Sequence, residues 1–100
     1  MRYLVVFSIA DGKSMDDVTP LMLDEIKEVW RSYQSGPLRE FYFSPKQPAV
    51  ILIYEAPDEV ALEETIGRLP MVKEQVLDHQ VFELGAFGHL QVLFDKNLAD

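Results

Sequence analysis

The sequence predicts a two-layer α+β sandwich, with four antiparallel strands on one side and two helices on the other. Three observations carry that prediction. Short β-branched and aromatic runs alternate with helical blocks in the order β-α-β-β-α-β. The middle two strands are separated by a five-residue turn, as in a hairpin. The length of 100 residues provides for one core and not two. That order with right-handed crossovers is the ferredoxin-like topology, here a single domain over residues 1–100.

Each element has its own signals. Residues 3–9 are apolar and β-branched and end at Asp11-Gly12, which makes them a strand. Residues 13–17 read as polar loop. Thr19-Pro20 supplies an N-cap followed by proline at the first helical position. Met22, Ile26, Val29, Trp30 and Tyr33 then recur at helical spacing, with Asp24, Glu25, Lys27, Glu28 and Arg31 on the other face. Gly36-Pro37 stops the helix. Residues 38–43 and 49–55 form the hairpin strands around Ser44-Pro45-Lys46-Gln47-Pro48.

Asp58 caps the second helix, Glu59 favours its dipole, and Leu62, Ile66 and Leu69 form its buried stripe. Gly67 and Pro70 close it, and residues 71–76 connect to a fourth strand over residues 77–84. Residues 89–94 read as a fifth, short strand or extension, and residues 95–100 as a frayed end.

The strands also speak about the second face of the sheet. A sheet with one wet face alternates apolar and polar residues. Leu4-Val5-Val6-Phe7 and Val50-Ile51-Leu52-Ile53-Tyr54 do not alternate. Both faces therefore meet something apolar, and one core's worth of chain cannot supply it. A second copy packed sheet against sheet, in a closed homodimer, is the economical answer. The competing reading is that central strands are simply apolar and the tail folds back over the open face.

Composition removes several functions. The net charge is −8, from 17 acidic and 9 basic residues, which argues against nucleic acid and anionic membrane surfaces as partners. There is no cysteine, so disulfides, thiolate metal sites and thiol nucleophiles are excluded. His79 and His89 are the only histidines, so a metal site within one chain would have to rest on carboxylates, and none is expected. The apolar run at the N-terminus is cut by Asp11, too short for a secretory signal or a membrane span, so the chain reads as soluble and cytoplasmic. Glycine-rich phosphate loops and the HExxH and GxSxG signatures are missing.

What remains for chemistry is a small set. Arg39-Glu40 interrupts an aromatic strand, with side chains expected on opposite faces; Arg39 suits a substrate carboxylate, or keeps an edge strand wet. Trp30 and Tyr33 could wall an aromatic pocket between helix and sheet, or simply pack the core. Asp78-His79 pairs an imidazole with a carboxylate in sequence, although adjacent strand residues face apart. Glu55 ends a buried strand, where a carboxylate could move protons or sit in solvent.

The stretch Asp24-Glu25, Arg31, Gly36 and Arg39, followed by Leu69-Pro70 and the last strand, resembles the muconolactone isomerases and their uncharacterised relatives. These belong to the dimeric α+β barrel superfamily, and the resemblance covers roughly residues 3–94. It implies a sandwich dimerised through its sheets, with rings of dimers as a further assembly. It implies a reaction that moves a double bond within an unsaturated lactone bearing a carboxylate, by proton removal beside a carbonyl and reprotonation elsewhere. Arg39 matches the family's carboxylate-gripping arginine, and Glu25 falls in its acidic pair, where a structural role is equally open. Where that pattern continues with a tryptophan and a second arginine, this chain has Tyr42 and Phe43.

The resulting expectation is an isomerase-like enzyme that uses no cofactor and acts on a small lactone or cyclic keto compound. Arg39 would be its anion anchor, Glu40 or His79 its proton carrier, and Trp30, Tyr33 and Tyr42 its substrate contacts. The alternatives are a non-catalytic small-molecule binder, and a cofactor-independent monooxygenase or dehalogenating lyase, on the same scaffold.

Overall fold

The computed structural model describes residues 1–95. Its elements are β1 (Arg2–Ile9), α1 (Met15–Val18), a 3-10 turn (Thr19–Leu21), α2 (Met22–Ser35), β2 (Leu38–Ser44), β3 (Ala49–Glu55), α3 (Glu59–Ile66), α4 (Pro70–Lys73), β4 (Leu77–Leu84) and a C-terminal 3-10 helix (Gly88–Phe94). The strands form one antiparallel sheet in the order β2-β3-β1-β4. This is the expected ferredoxin-like α+β sandwich.

Register assigns the two faces. Tyr3, Val5 and Phe7 on β1 pair with Tyr54, Leu52 and Val50 on β3, and these side chains meet the helices. There they pack with Leu38 and with Leu62, Ile66 and Leu69, all buried, as the main core. A smaller cluster of Val18, Met71 and Val76 seals the other end of the layer. The opposite face carries Leu4, Val6, Ile51, Ile53, Phe82 and Leu84. Neither helix layer covers that face. Among the described residues the tail does not cover it either, since every residue over 83–95 is exposed.

Three local expectations are corrected. Residues 13–17 are not all loop: Ser14 opens α1 with a capping box, its hydroxyl accepting from the Asp16 N–H while the Asp17 carboxylate accepts from the Ser14 N–H. Thr19 is not the N-cap of the long helix but the C-cap of α1, and its hydroxyl donates to the Met15 carbonyl. Residues 89–94 fall in a 3-10 helix rather than a strand, and the sheet ends at β4. Past Asp95, the frayed end expected over 95–100 lies outside the described residues.

The stripe that α2 turns inward also differs from the expected one, sharing only Val29 with it. Leu21, Glu25, Val29 and Ser32 turn inward, whereas Met22, Ile26, Trp30 and Tyr33 are exposed. Gly36 ends the helix with φ +111°, a conformation that favours glycine.

Candidate functional site

The strands place the expected site residues in three separate regions. On β2 a bulge between Leu38 and Glu40 leaves Arg39 without a cross-strand partner. The bulge breaks the simple alternation read from sequence. Leu38 faces the core and pairs with Tyr54, yet Glu40 pairs with Ile53 on the open face. A regular pleat would put residues 38 and 40 on the same side.

The first region is an open groove between the end of α2 and the start of β2. Trp30, Tyr33, Gln34, Gly36, Leu38 and Arg39 line it. The Trp30 and Tyr33 rings lie 5.7 Å apart, and Tyr33 meets Phe41 edge-on at 5.2 Å. Trp30 and Tyr33 therefore do make an aromatic wall, and Arg39 stands beside it, but outside the helix–sheet core. Arg39 makes no ion pair among the described residues.

The second region is the open sheet face. There the Tyr42 hydroxyl donates to Glu40 Oε1 at 2.7 Å. That bond, and the negative charge it brings, raise the Tyr42 pKa.

The third region surrounds His79, on the helix side of β4. Its Nε2 lies 3.2 Å from Glu63 Oε2 on α3, and its ring packs on Phe7 at 5.8 Å. Asp78 faces the other way, paired with Ser8, so the partner of His79 is a carboxylate 16 residues away and not its neighbour in sequence. Phe7 also walls an apolar cavity of about 220 Å³ under α1 and the start of α2. Ile9, Met15, Val18, Met22, Phe43, Val50 and Leu77 line that cavity further, and Ser8 reaches it from a strand position whose side chain belongs to the opposite face with Asp78. His79 does not line this cavity: with Val72, Gln75, Leu77 and Asp78 it lines a neighbouring open pocket, and Leu77 is common to both.

These regions do not merge within one chain. Arg39 begins β2 at the Tyr54 end of the sheet, while His79 pairs with Phe7 at the other end and on the other edge. Three strand spacings across and about four residues along separate them by roughly 20 Å. Arg39, Glu40 and His79 therefore do not enter one common cavity of a single protomer.

The helix–sheet interior holds one further set of ionisable groups. Glu25, expected on the polar face of its helix, is 9% exposed, and its Oε1 accepts the Met71 N–H at 3.0 Å. It thereby serves the first turn of α4, whose own N-cap, Leu69, has no side-chain acceptor. Burial raises the Glu25 pKa, the Met71 bond opposes that rise, and the Glu28 carboxylate adds to it. The buried Tyr54 hydroxyl has no hydrogen-bond partner, and burial with the charges of Glu25 and Glu28 holds its pKa far above the ordinary value. Glu55 is tied up near Arg2 (3.8 Å) and the N-terminal amine (4.0 Å). Among the described residues no group of three histidine or carboxylate side chains is arranged to hold a metal ion. No described helix is long and apolar enough to cross a membrane.

No protein-family model matches the chain, and no curated protein matches it significantly. Solved structures do. Muconolactone isomerase superposes with a TM-score of 0.71 at 22% identity, covering 88% of this chain and 92% of that one. The fold is that of the dimeric α+β barrel proteins. A 5-chloro-2-hydroxyhydroquinone dehydrochlorinase from Burkholderia phenoliruptrix, solved with 2,5-dihydroxybenzoquinone, gives a TM-score of 0.71 at 13% identity over 89% of this chain and 98% of that one. An antibiotic biosynthesis monooxygenase gives 0.52 at 21% identity over 86% and 98%. At these identities the likeness is one of scaffold, and a dimeric α+β barrel serves unrelated reactions.

Proposed function

We propose that the protein is a homodimer which binds a small, largely apolar cyclic compound in the cavity beside Phe7 and moves a proton on it through His79, without a cofactor. The observation that carries this reading is the position of His79, bonded to Glu63 and packed on Phe7, a wall of the cavity, in the adjoining pocket that shares Leu77 with it. With Nε2–H donated to Glu63, Nδ1 bears the lone pair that takes a proton, and the carboxylate stabilises the imidazolium that results. That is the chemistry of a double-bond shift beside a carbonyl. A cavity of about 220 Å³ suits a single ring, being below the roughly 300 Å³ at which drug-sized pockets begin. Arg39 stands too far away to grip the same ring, so this ligand needs no carboxylate.

The dimer is supported by the apolar face of the sheet and by area. The chain exposes 7354 Å², about 1,500 Å² more than a compact chain of this mass. A standard interface removes roughly 800 Å² per partner. On this reading Glu40 and Tyr42 belong to the contact between sheets. Sedimentation at micromolar concentration showing only an 11.5 kDa species would remove the dimer.

A second reading, a binder without turnover, is favoured by the cavity lining itself, which includes no charged residue. One experiment separates the two. Muconolactone and an uncharged unsaturated lactone are each incubated with the protein in deuterated water and followed by NMR. The enzyme reading expects deuterium beside the carbonyl with the wild type, binding without exchange for His79→Gln, and neither for Val50→Trp, which fills the cavity. Binding without exchange by the wild type leaves the binder reading. Absence of binding by both compounds refutes the cavity as the site for this class.

A further inference from the structure

We infer that the C-terminal arm of a second copy, residues 85–94, lies across the groove between α2 and β2, covering Trp30, Tyr33 and Phe41. The inference rests on the sheet-to-sheet dimer proposed above. The arm is apolar and bare in its own chain: Phe87, Leu90, Leu93 and Phe94 are 68%, 56%, 67% and 84% exposed. It forms a seven-residue 3-10 helix, longer than the three or four residues usual for that form. Such a segment needs a surface to lie on. On its own body the apolar surface in reach is the open sheet face, which the proposed dimer occupies, and the chain is drawn out to 58 × 30 × 20 Å with a radius of gyration of 17.0 Å, against about 13 Å for a compact domain of this length.

The receiving surface is equally specific. Beyond the open sheet face, a strip of exposed apolar residues runs along the outside of α2 and β2: Met22, Ile26, Trp30, Tyr33, Phe41 and Phe43. The rim on the β4 side has no such strip. There α3 presents Glu59, Glu63 and Glu64 around a single exposed Val60.

Topology brings the arm and the strip together. The arm leaves β4 at Leu84, level with Arg2, which is the end of the sheet where β2 begins, on the opposite edge. Two sheets packed face to face about a two-fold axis running along the strands place β4 of one copy over β2 of the other, at the same end. Three extended residues and seven in a 3-10 helix reach roughly 24 Å beyond Leu84. Packed sheets are about 10 Å apart, and a helix layer adds about as much again. The arm therefore reaches the partner's helix layer at its Trp30 end. The groove holding Arg39, open in one chain, is then roofed by the other.

Trp30 is the only tryptophan and the chain has no cysteine, which makes the test direct. In the full-length wild-type dimer, Trp30 emission should be blue-shifted and resist acrylamide. Leu93→Asp and Phe94→Asp should raise the quenching constant several-fold while sedimentation still reports a dimer. A chain carrying Tyr33→Cys, refolded together with one carrying Leu90→Cys, should form a disulfide-linked heterodimer. A wild-type dimer with a freely quenched Trp30 overturns the arm and leaves the dimer standing. Shielding that the arm variants do not change, with no heterodimer cross-link, overturns it too and assigns the strip to another contact. A monomer overturns both.

Discussion

Glu25 offers a sharp test of how the helix layer is held together. Its carboxylate is nearly buried and accepts the N–H of Met71, a residue itself 4% exposed. Glu25→Ala removes the acceptor and strands a buried donor, which costs about 1–3 kcal/mol. For a domain of this size that lowers Tm by roughly 4–24 °C. Glu25→Gln keeps a carbonyl oxygen on the same stem and should lose far less.

The two variants must also differ in their response to pH. Burial raises the folded-state pKa of Glu25 above its ordinary value of 4.5. The stability linked to that group is fully present below pH 4.5 and is lost as pH rises through the raised value. Glutamine has no such loss. Between pH 4.5 and 8 the stability of wild type relative to Glu25→Gln should therefore fall. Urea midpoints followed by circular dichroism, at one fixed protein concentration because dimerisation contributes, read both effects. If alanine and glutamine prove equally damaging at every pH, or if wild type gains on glutamine as pH rises, the assignment of Glu25 as a buried acceptor with a raised pKa is wrong.

Other outcomes follow from single features. Tyr54→Phe deletes a buried hydroxyl that has no partner, so it should leave stability unchanged or raise it by about 1 kcal/mol in denaturant titration. Gly36→Ala places a side chain at φ +111° where its Cβ meets no atom within 4 Å; strain alone should cost about 1–2 kcal/mol, read as a shift in thermal midpoint. Leu62→Ala, at a fully buried core position, should cost about 2–5 kcal/mol by the same melts. Val50→Trp should keep the fold by circular dichroism yet abolish ring binding by NMR, since Val50 walls the cavity.

The strands were almost fully legible. Residues 77–84 and 49–55 coincide with β4 and β3, and 38–43 falls one short of β2. Turn residues bounded each run, and the unbroken apolar runs correspond to a sheet that is apolar on both faces. The helix faces were not legible, for a physical reason. The α2 segment has two stripes at helical spacing, and the one that meets its own sheet contains Glu25 and Ser32. Hydrophobicity favours the other stripe, which looks outward. The bulge at Arg39 left no mark in the sequence, and it shifted Glu40 to the open face. Nor could sequence pair His79 with Glu63, because that contact depends on how α3 lies across β4. Ser14 and Asp17 did carry a readable signal, the spacing of a capping box, hidden by the polar look of the segment.

The order of the sheet also bears on how the chain is made. β1 is synthesised first and lies in the middle, yet one of its two edges waits for β4, the last strand. Until Val81 can reach Val5, a nascent chain presents β1 as an unpaired apolar edge, open to neighbouring chains. The β2–β3 hairpin is local and closes early, whereas the β1–β4 ladder spans nearly the whole sequence and should set the folding rate. The strand that completes the sheet is thus the one that ends the hazard, and crowding on a polysome is where this protein is most vulnerable.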